Sequence, residues 1–289
     1  MRKILLTIIL SLFISTIFAY DVQIDGIFYN LNNSNKTATV TNDGIFYDGS
    51  DAGYKQLEIN IPEKITYQNI EYIVNSIGER AFLGCDAFTS IKIPCTISKI
   101  EISALRNCYH LEKIIVDSNN KYYTSVDGAL YNKNITSLIK SPMRKRTISI
   151  PNTVTVIEKE AFHYSSITSI SIPNSVKHIG YKAFVGCWGL SSITIPNSVE
   201  YIGDEAFDNC QKLRIIKIGN SIKELGDKAF GKCENIISIT ILSEIPPIIY
   251  QATLNSVMKN TEIKVHKNAI KYYKSAKYWS EFTNFVIIE

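Results

Sequence analysis

Few of the residue patterns that carry catalysis or metal binding occur in this chain. Its 289 residues include four histidines and six cysteines. His110, His163, His178 and His266 are scattered with no HExxH-type pair, and no two cysteines stand at CxxC spacing, so no zinc site is expected. There is no GxSxG elbow, phosphate loop or dinucleotide fingerprint. Asp117-Ser118-Asn119 begins like a calcium loop but lacks its glycine and terminal glutamate, and reads as a turn. Glu158 and Glu160 stand at a corner and in an exposed turn of the pattern described below, so they read as solvated charge rather than an acid/base pair. No enzymatic activity, cofactor or metal is expected. Charge of one sign is also missing: 31 basic and 27 acidic residues leave a net +4. That balance does not point to nucleic acid. The one basic cluster, Arg144-Lys145-Arg146, reads as a solvated turn.

Long hydrophobic runs are absent except at the start, where Ile4 to Phe18 follow Arg2 and Lys3. This pattern predicts a secretory signal over 1–19, cleaved after Ala19. It is short for a membrane span, and polar, strand-like residues follow it. Without Arg2 and Lys3 the balance becomes 29 basic against 27 acidic residues. No cysteine precedes Cys85, so no lipid-modified cysteine follows the signal, and no apolar C-terminal tail is present. The expected product is exported, without a transmembrane span, and either secreted or held at a surface by other components.

What the chain does have is a repeat. An Ile-x-Ile-Pro strand is followed by Ser-Val, Ile-Gly, Ala-Phe and Cys, most cleanly at 170–187 (ISIPNSVKHIGYKAFVGC) and 193–210 (ITIPNSVEYIGDEAFDNC). The Ala-Phe step recurs at Ala81, Ala104 (with Leu105), Ala161, Ala183, Ala206 and Ala229, at intervals of 23, 57, 22, 23 and 23. Each unit is too short to bury its own apolar face and must stack on its neighbours, which predicts a solenoid. Alternation in Ile-x-Ile sends two side chains in and one out. Proline ends the strand because it has no N–H for the ladder, Asn-Ser supplies turn chemistry, and Gly180, Gly203 and Gly226 allow a corner. Roughly eight coils at about 4.8 Å spacing would make a rod about 40 Å long.

The combined Ile-Pro, Ile-Gly, Ala-Phe and Cys pattern, from Leu57 to Leu242, resembles the BspA-like (Treponema pallidum-type) leucine-rich repeat family of bacterial surface proteins. The fold class implied is a β-rich solenoid, a right-handed stack of repeats of about 23 residues. The organisation expected is an N-terminal β-cap over 20–56, the repeats over 57–244, and a C-terminal cap over 245–289. The 57-residue interval places an insertion near 117–145. Within it Asp127-Gly128-Ala129-Leu130-Tyr131-Asn132 echoes the segments beginning at Asp25-Gly26 and Asp43-Gly44, and Asp-Gly before an apolar-aromatic strand is a tight-turn signal, so a β-hairpin is expected. In the C-terminal cap 262–266 reads as a strand. Ala269, Tyr272, Tyr273, Ala276, Trp279 and Phe282 stand at helical spacing over 268–282, an aromatic stripe that reads as core.

Five cysteines keep the repeat: Cys85 and Cys108, then Cys187, Cys210 and Cys233, with Ser165 in place of a sixth. Equivalent Cα atoms of stacked coils lie at a disulfide-compatible distance, but three in a row cannot all pair. A ladder of buried thiols is the better reading. Cys95 is the outlier and the most accessible thiol expected.

The outward positions of the strands run Lys92, Ile115, Ser149, Ser171, Thr194, Lys217 and Thr240. On a single sheet they would form a Ser/Thr strip with lysines toward both ends. Such residues suit β-stacking in any case, and they also leave a backbone accessible to a partner's loop. Tyr122, Tyr123 and Tyr131 of the insertion are a second candidate contact region, since Tyr joins apolar area to a hydrogen-bonding tip. The family resemblance implies an adhesive binding protein at the cell surface, with host extracellular-matrix proteins or bacterial surface proteins as partners. The alternative is a non-catalytic scaffold of the periplasm or cell envelope.

Overall fold

A computed structural model describes residues 20–44 and 53–288. The expected signal over 1–19 and the aromatic segment after Gly44 lie outside the described residues. The repeats wind into a β-solenoid of about nine turns, one more than the repeat count suggests. In each Ile-x-Ile step both isoleucines face inward. Ile193 and Ile195 are buried while Thr194 between them is exposed. Parallel pairing then runs from Ser192–Ile195 through Ile215–Ile218, Ser238–Ile241 and Glu262–His266 to Phe285–Ile288, with Ile193 beside Ile216 beside Ile239 beside Ile263. A second wall is built from two-residue strands, Val156–Ile157, His178–Ile179, Tyr201–Ile202 and Glu224–Leu225, also parallel and in register.

Between the walls lie the Ala-Phe and Cys steps. Phe162, Phe184, Phe207 and Phe230 stack with ring centroids 4.7, 4.9 and 5.2 Å apart and nearly parallel planes. Each ring is fully buried. The Sγ atoms of Cys187, Cys210 and Cys233 donate to the carbonyls of Phe162, Phe184 and Phe207 in the preceding coil, at 3.2, 3.2 and 3.1 Å. The repeat therefore uses cysteine as a small apolar residue with one weak donor, and none of the six cysteines is in a disulfide. The corner glycine answers to close approach: a Cβ on Gly203 would lie 2.8 Å from the backbone nitrogen of Tyr181 in the coil below.

At the N-terminal end Val22–Ile24, Ile27–Asn32 and Thr37–Thr41 form an antiparallel meander. Its last strand pairs in parallel with Ile70–Ile77, which in turn pairs with Lys99–Ile100 and so joins the cap to the solenoid. The Asp-Gly turns form as their residues require. Asp25 and Gly26 have φ of 50° and 77°, and Asp127 and Gly128 have 50° and 76°. Two successive positive φ values close a two-residue hairpin whose twist suits the strands.

The interior divides into two apolar clusters, one from Ile27 to Ile114 with Leu130 and the other from Ala129 and Tyr131 to Phe282. The division falls at the stretch that interrupts the repeat. Tyr123–Val126 and Ala129–Asn132 form the expected hairpin, and Ala129–Asn132 pairs with Ser137–Lys140. From Ser137 the chain is already part of the solenoid, because Ser137 and Leu138 pair with Val156 and Ile157. Residues 137–150 thus make a shortened coil with no Ala-Phe pair. The Asp127-Gly128 turn plugs the strand wall. The Gly128 carbonyl accepts from the Ile114 N–H at 2.8 Å, and the Asp127 carboxylate accepts from the Ser149 N–H at 3.3 Å.

The C-terminal cap differs from the helix expected over 268–282. The α-helix covers Ile270–Ser275 only, and a 3-10 turn follows at Trp279–Glu281. Tyr278, with φ of 63°, separates them. Tyr273 and Trp279 are anchored through their polar tips, the hydroxyl donating to the Ser243 carbonyl at 3.1 Å and the indole N–H to the Pro247 carbonyl at 3.0 Å. A continuous helix cannot meet both anchors, and Tyr272, expected in the core stripe, is half exposed.

Candidate functional site

The expected outward strip is divided. Lys92 lies on a separate three-stranded sheet made by Glu58–Asn60, Ser90–Ile93 and Lys113–Val116, and its ammonium stands 3.9 Å from the Glu58 carboxylate. The hairpin turn closes that sheet off from the rest. Ser149 and Ser171 are joined by an isolated bridge, and Thr194, Lys217 and Thr240 stand in register on the five-stranded sheet.

Between Ser171 and Thr194 the wall opens. Ser192–Ile195 is the edge strand of its sheet, and among the described residues no strand pairing links it to 170–172. The same two coils stay joined elsewhere, through the His178–Tyr201 register and the stacked Phe184 and Phe207 rings. The cause is a length mismatch: nine positions separate Ala161 from Ile170, and ten separate Ala183 from Ile193. A cavity of about 470 Å³ lies at this seam, lined by the hydroxyls of Ser169, Ser171, Ser192 and Thr194, the amides of Asn174 and Asn197, an apolar base that includes Ile195 and Leu242, and Lys217. No acidic residue lines it, and among the described residues Lys217 has no ion-pair partner. A cation, hydroxyls, amides and the edge of a sheet together suit a hydrogen-bonding partner that carries a carboxylate.

The insertion tyrosines separate. Tyr122 is exposed, whereas the Tyr123 hydroxyl accepts from the Ile100 N–H at 3.2 Å and ties the hairpin to the coil beneath. Tyr131 is fully buried, because its position in the hairpin strand faces the C-terminal core, and it offers no surface to a partner. The basic cluster is charge-paired rather than merely solvated: Arg144 meets Glu112 at 3.1 Å, and Lys145 pairs with Asp127. Glu160 is not an exposed turn residue. It is 5% exposed and accepts from Arg106, whose Nε lies 3.0 Å from its Oε2. Cys95 is half-buried and donates to Glu63 at 3.4 Å, a hydrogen bond that raises its thiol pKa.

The seam itself is absent from any reading of the outward rows. The signal for it was the single 22-residue interval between Ala161 and Ala183. The second wall also carries an unexpected exposed pair, His178 and Tyr201, stacked at 5.4 Å with Lys223 over the tyrosine ring.

Comparison with known proteins places the fold in context. The solved structure of a leucine-rich repeat protein from Eubacterium ventriosum has a TM-score of 0.58 at 18% identity, covering 92% of this chain and 94% of that one. The pneumococcal vaccine antigen PcpA gives 0.46 at 18% identity, covering 93% and 98%, and Treponema pallidum leucine-rich repeat protein 0.38 at 20%, covering 77% and 86%. Identities this low speak to fold alone. No curated protein matches the sequence. The family described as BspA type leucine rich repeat region matches residues 60–145 and 140–259 with six copies. The chain belongs to the BspA-type leucine-rich repeat family.

Proposed function

We propose that this protein is a non-catalytic, surface-exposed or secreted adhesin that binds a protein partner through the seam around Ser171, Thr194 and Lys217. The observation that supports it is the opened sheet edge beside a cavity whose only charged lining group is an unpaired cation. A loop or extended segment of a partner can add main-chain hydrogen bonds along Ser192–Ile195 while placing an Asp or Glu side chain at Lys217. The hydroxyls around it are short and cost little ordering entropy on binding. The partner classes in this reading, extracellular-matrix proteins and the surface proteins of other bacteria, rest on membership of the BspA-type family alone.

The test is saturable binding of residues 20–289 to immobilised fibronectin, fibrinogen and whole bacterial cells, with the same chain carrying Lys217→Glu. Binding weakened at least tenfold by the substitution is expected. Saturable binding that Lys217→Glu leaves unchanged moves the site elsewhere on the molecule, and no saturable binding to any of these removes the adhesive role.

A further inference from the structure

The Phe and Cys ladders break at the shortened coil 137–150, and charge occupies the gap. Lys140 is 4% exposed, and its ammonium donates to the Glu160 carbonyl at 3.1 Å. Arg106, from the coil before the break, reaches across it to the Glu160 carboxylate and pairs with both oxygens. His163, 8% exposed, sits beside them with its Nδ1 buried and without a hydrogen-bond partner, and its ring is edge-on to Tyr164 at 4.4 Å. The remaining groups that face this cluster are the thiols of Cys108 and Cys187, toward Lys140, and Lys182, toward His163. Lys182 is itself paired with Glu205 at 3.3 Å. The Glu160 carboxylate therefore pairs with Arg106 while its charge also acts on Lys140, which bonds only the backbone carbonyl, and a third positive charge at His163 would have no counter-ion of its own. The break coincides with the boundary between the two apolar clusters.

We propose that this junction is an acid-opened joint, at which charging of His163 loosens the N-terminal half of the solenoid from the C-terminal half while each half keeps its own core. It is independent of what the seam binds.

The direction follows from proton linkage. Burial, and then the Lys140 charge, lower the His163 pKa from 6.5 to about 4 in the closed joint. Burial lowers that of Lys140 to about 8, so Lys140 is largely charged at neutral pH and takes up little further proton below it. Burial would raise that of Glu160, but the hydrogen bonds and charge of Arg106 prevail and hold it below its ordinary value. Between pH 7.5 and 5, then, His163 is the group in the cluster whose proton uptake differs most between the open and the closed joint. The open joint binds the extra proton below pH 6.5 and the closed one does not until about pH 4. Closure is thus fully favoured above pH 6.5 and weakens as pH falls toward 4, and the opening equilibrium rises about 30-fold between pH 7.5 and 5.

Single-molecule energy transfer on the full chain, between a dye on Cys95 and one on an introduced Lys212→Cys, reads this directly. A longer-distance population should grow on going from pH 7.5 to 5 and vanish on return. It should be absent at both pH values in His163→Gln, and present already at pH 7.5 in Glu160→Gln, where the two cations lose their anion. A distance distribution independent of pH in the wild-type background, or an acid response retained by His163→Gln, overturns the joint. Should His163→Gln fail to fold, Lys140→Met decides. Removing the charge that opposes imidazolium must shrink the acid response, and an undiminished response refutes the proposal.

Discussion

Phe207 is the residue on which the repeat depends most directly. Its ring is fully buried between Phe184 and Phe230 at 4.9 and 5.2 Å, so Phe207→Ala removes contacts on both faces and leaves a cavity the neighbouring coils cannot close. A loss of about 3–5 kcal/mol in urea unfolding is expected, and a loss below about 1 kcal/mol would contradict the inward ladder. Gly203→Ala tests a different constraint, since its Cβ would meet backbone at 2.8 Å rather than a movable side chain; overpacking of this kind costs about 1–3 kcal/mol by the same measurement. The cysteines give a third outcome. Cys85, Cys108, Cys187, Cys210 and Cys233 are fully buried, and burial pushes the Cys108 thiol up to about 12. A thiol reagent should therefore label Cys95 alone in the folded protein and all six cysteines in denaturant. Rapid labelling of more than one would show that the ladder is open to solvent. Each of these residues was legible from its place in the repeat. Glu160 was not: two positions before the Phe, in a turn that other coils leave half-buried or exposed, nothing local distinguishes it. Its burial comes from Arg106, 54 positions earlier.

Among the elements, the hairpin at the interruption shows how local and distant information combine. Asp127-Gly128 announces a tight turn in the sequence alone, and the turn forms. That this turn then fills a gap in the strand wall, bonded to Ile114 on one side and Ser149 on the other, depends on where the solenoid places those strands. Gly128→Ala should therefore do more than strain a φ of 76°. Its Cβ would also press on Lys113 at 3.2 Å. A loss of about 1–2 kcal/mol from the left-handed conformation alone is the floor, measured by urea unfolding; a smaller loss would mean that the plug is dispensable. The C-terminal helix is the opposite case. Helical spacing over 268–282 was real, but the anchoring of Tyr273 and Trp279 on separate carbonyls overrode it and left six helical residues.

For the molecule as a whole, the two apolar clusters and the divided strand wall make the solenoid less uniform than its repeat. In quasi-one-dimensional folds each coil touches only its neighbours, so a single defective coil lowers coupling across it without unfolding either side. The shortened coil 137–150 is such a defect, and it holds the charge cluster. The one-residue deficit after Ala161 is a second, and it opens the seam. The candidate binding surface and the acid-opened joint thus both arise where the pattern fails.

The sequence by itself determined the solenoid, its period, the inward Ile, Phe and Cys positions and the Asp-Gly turns. These follow from alternation, turn chemistry and burial, which act over a few residues and repeat every coil. Only the tertiary structure decided that the outward strip breaks into separate sheets, that Tyr131 and Glu160 are buried, and that Ser192–Ile195 presents a free edge beside Lys217. Those features depend on how coils of unequal length stack, and a mismatch of one residue becomes a gap only once the neighbouring coils hold the rest of the chain in register.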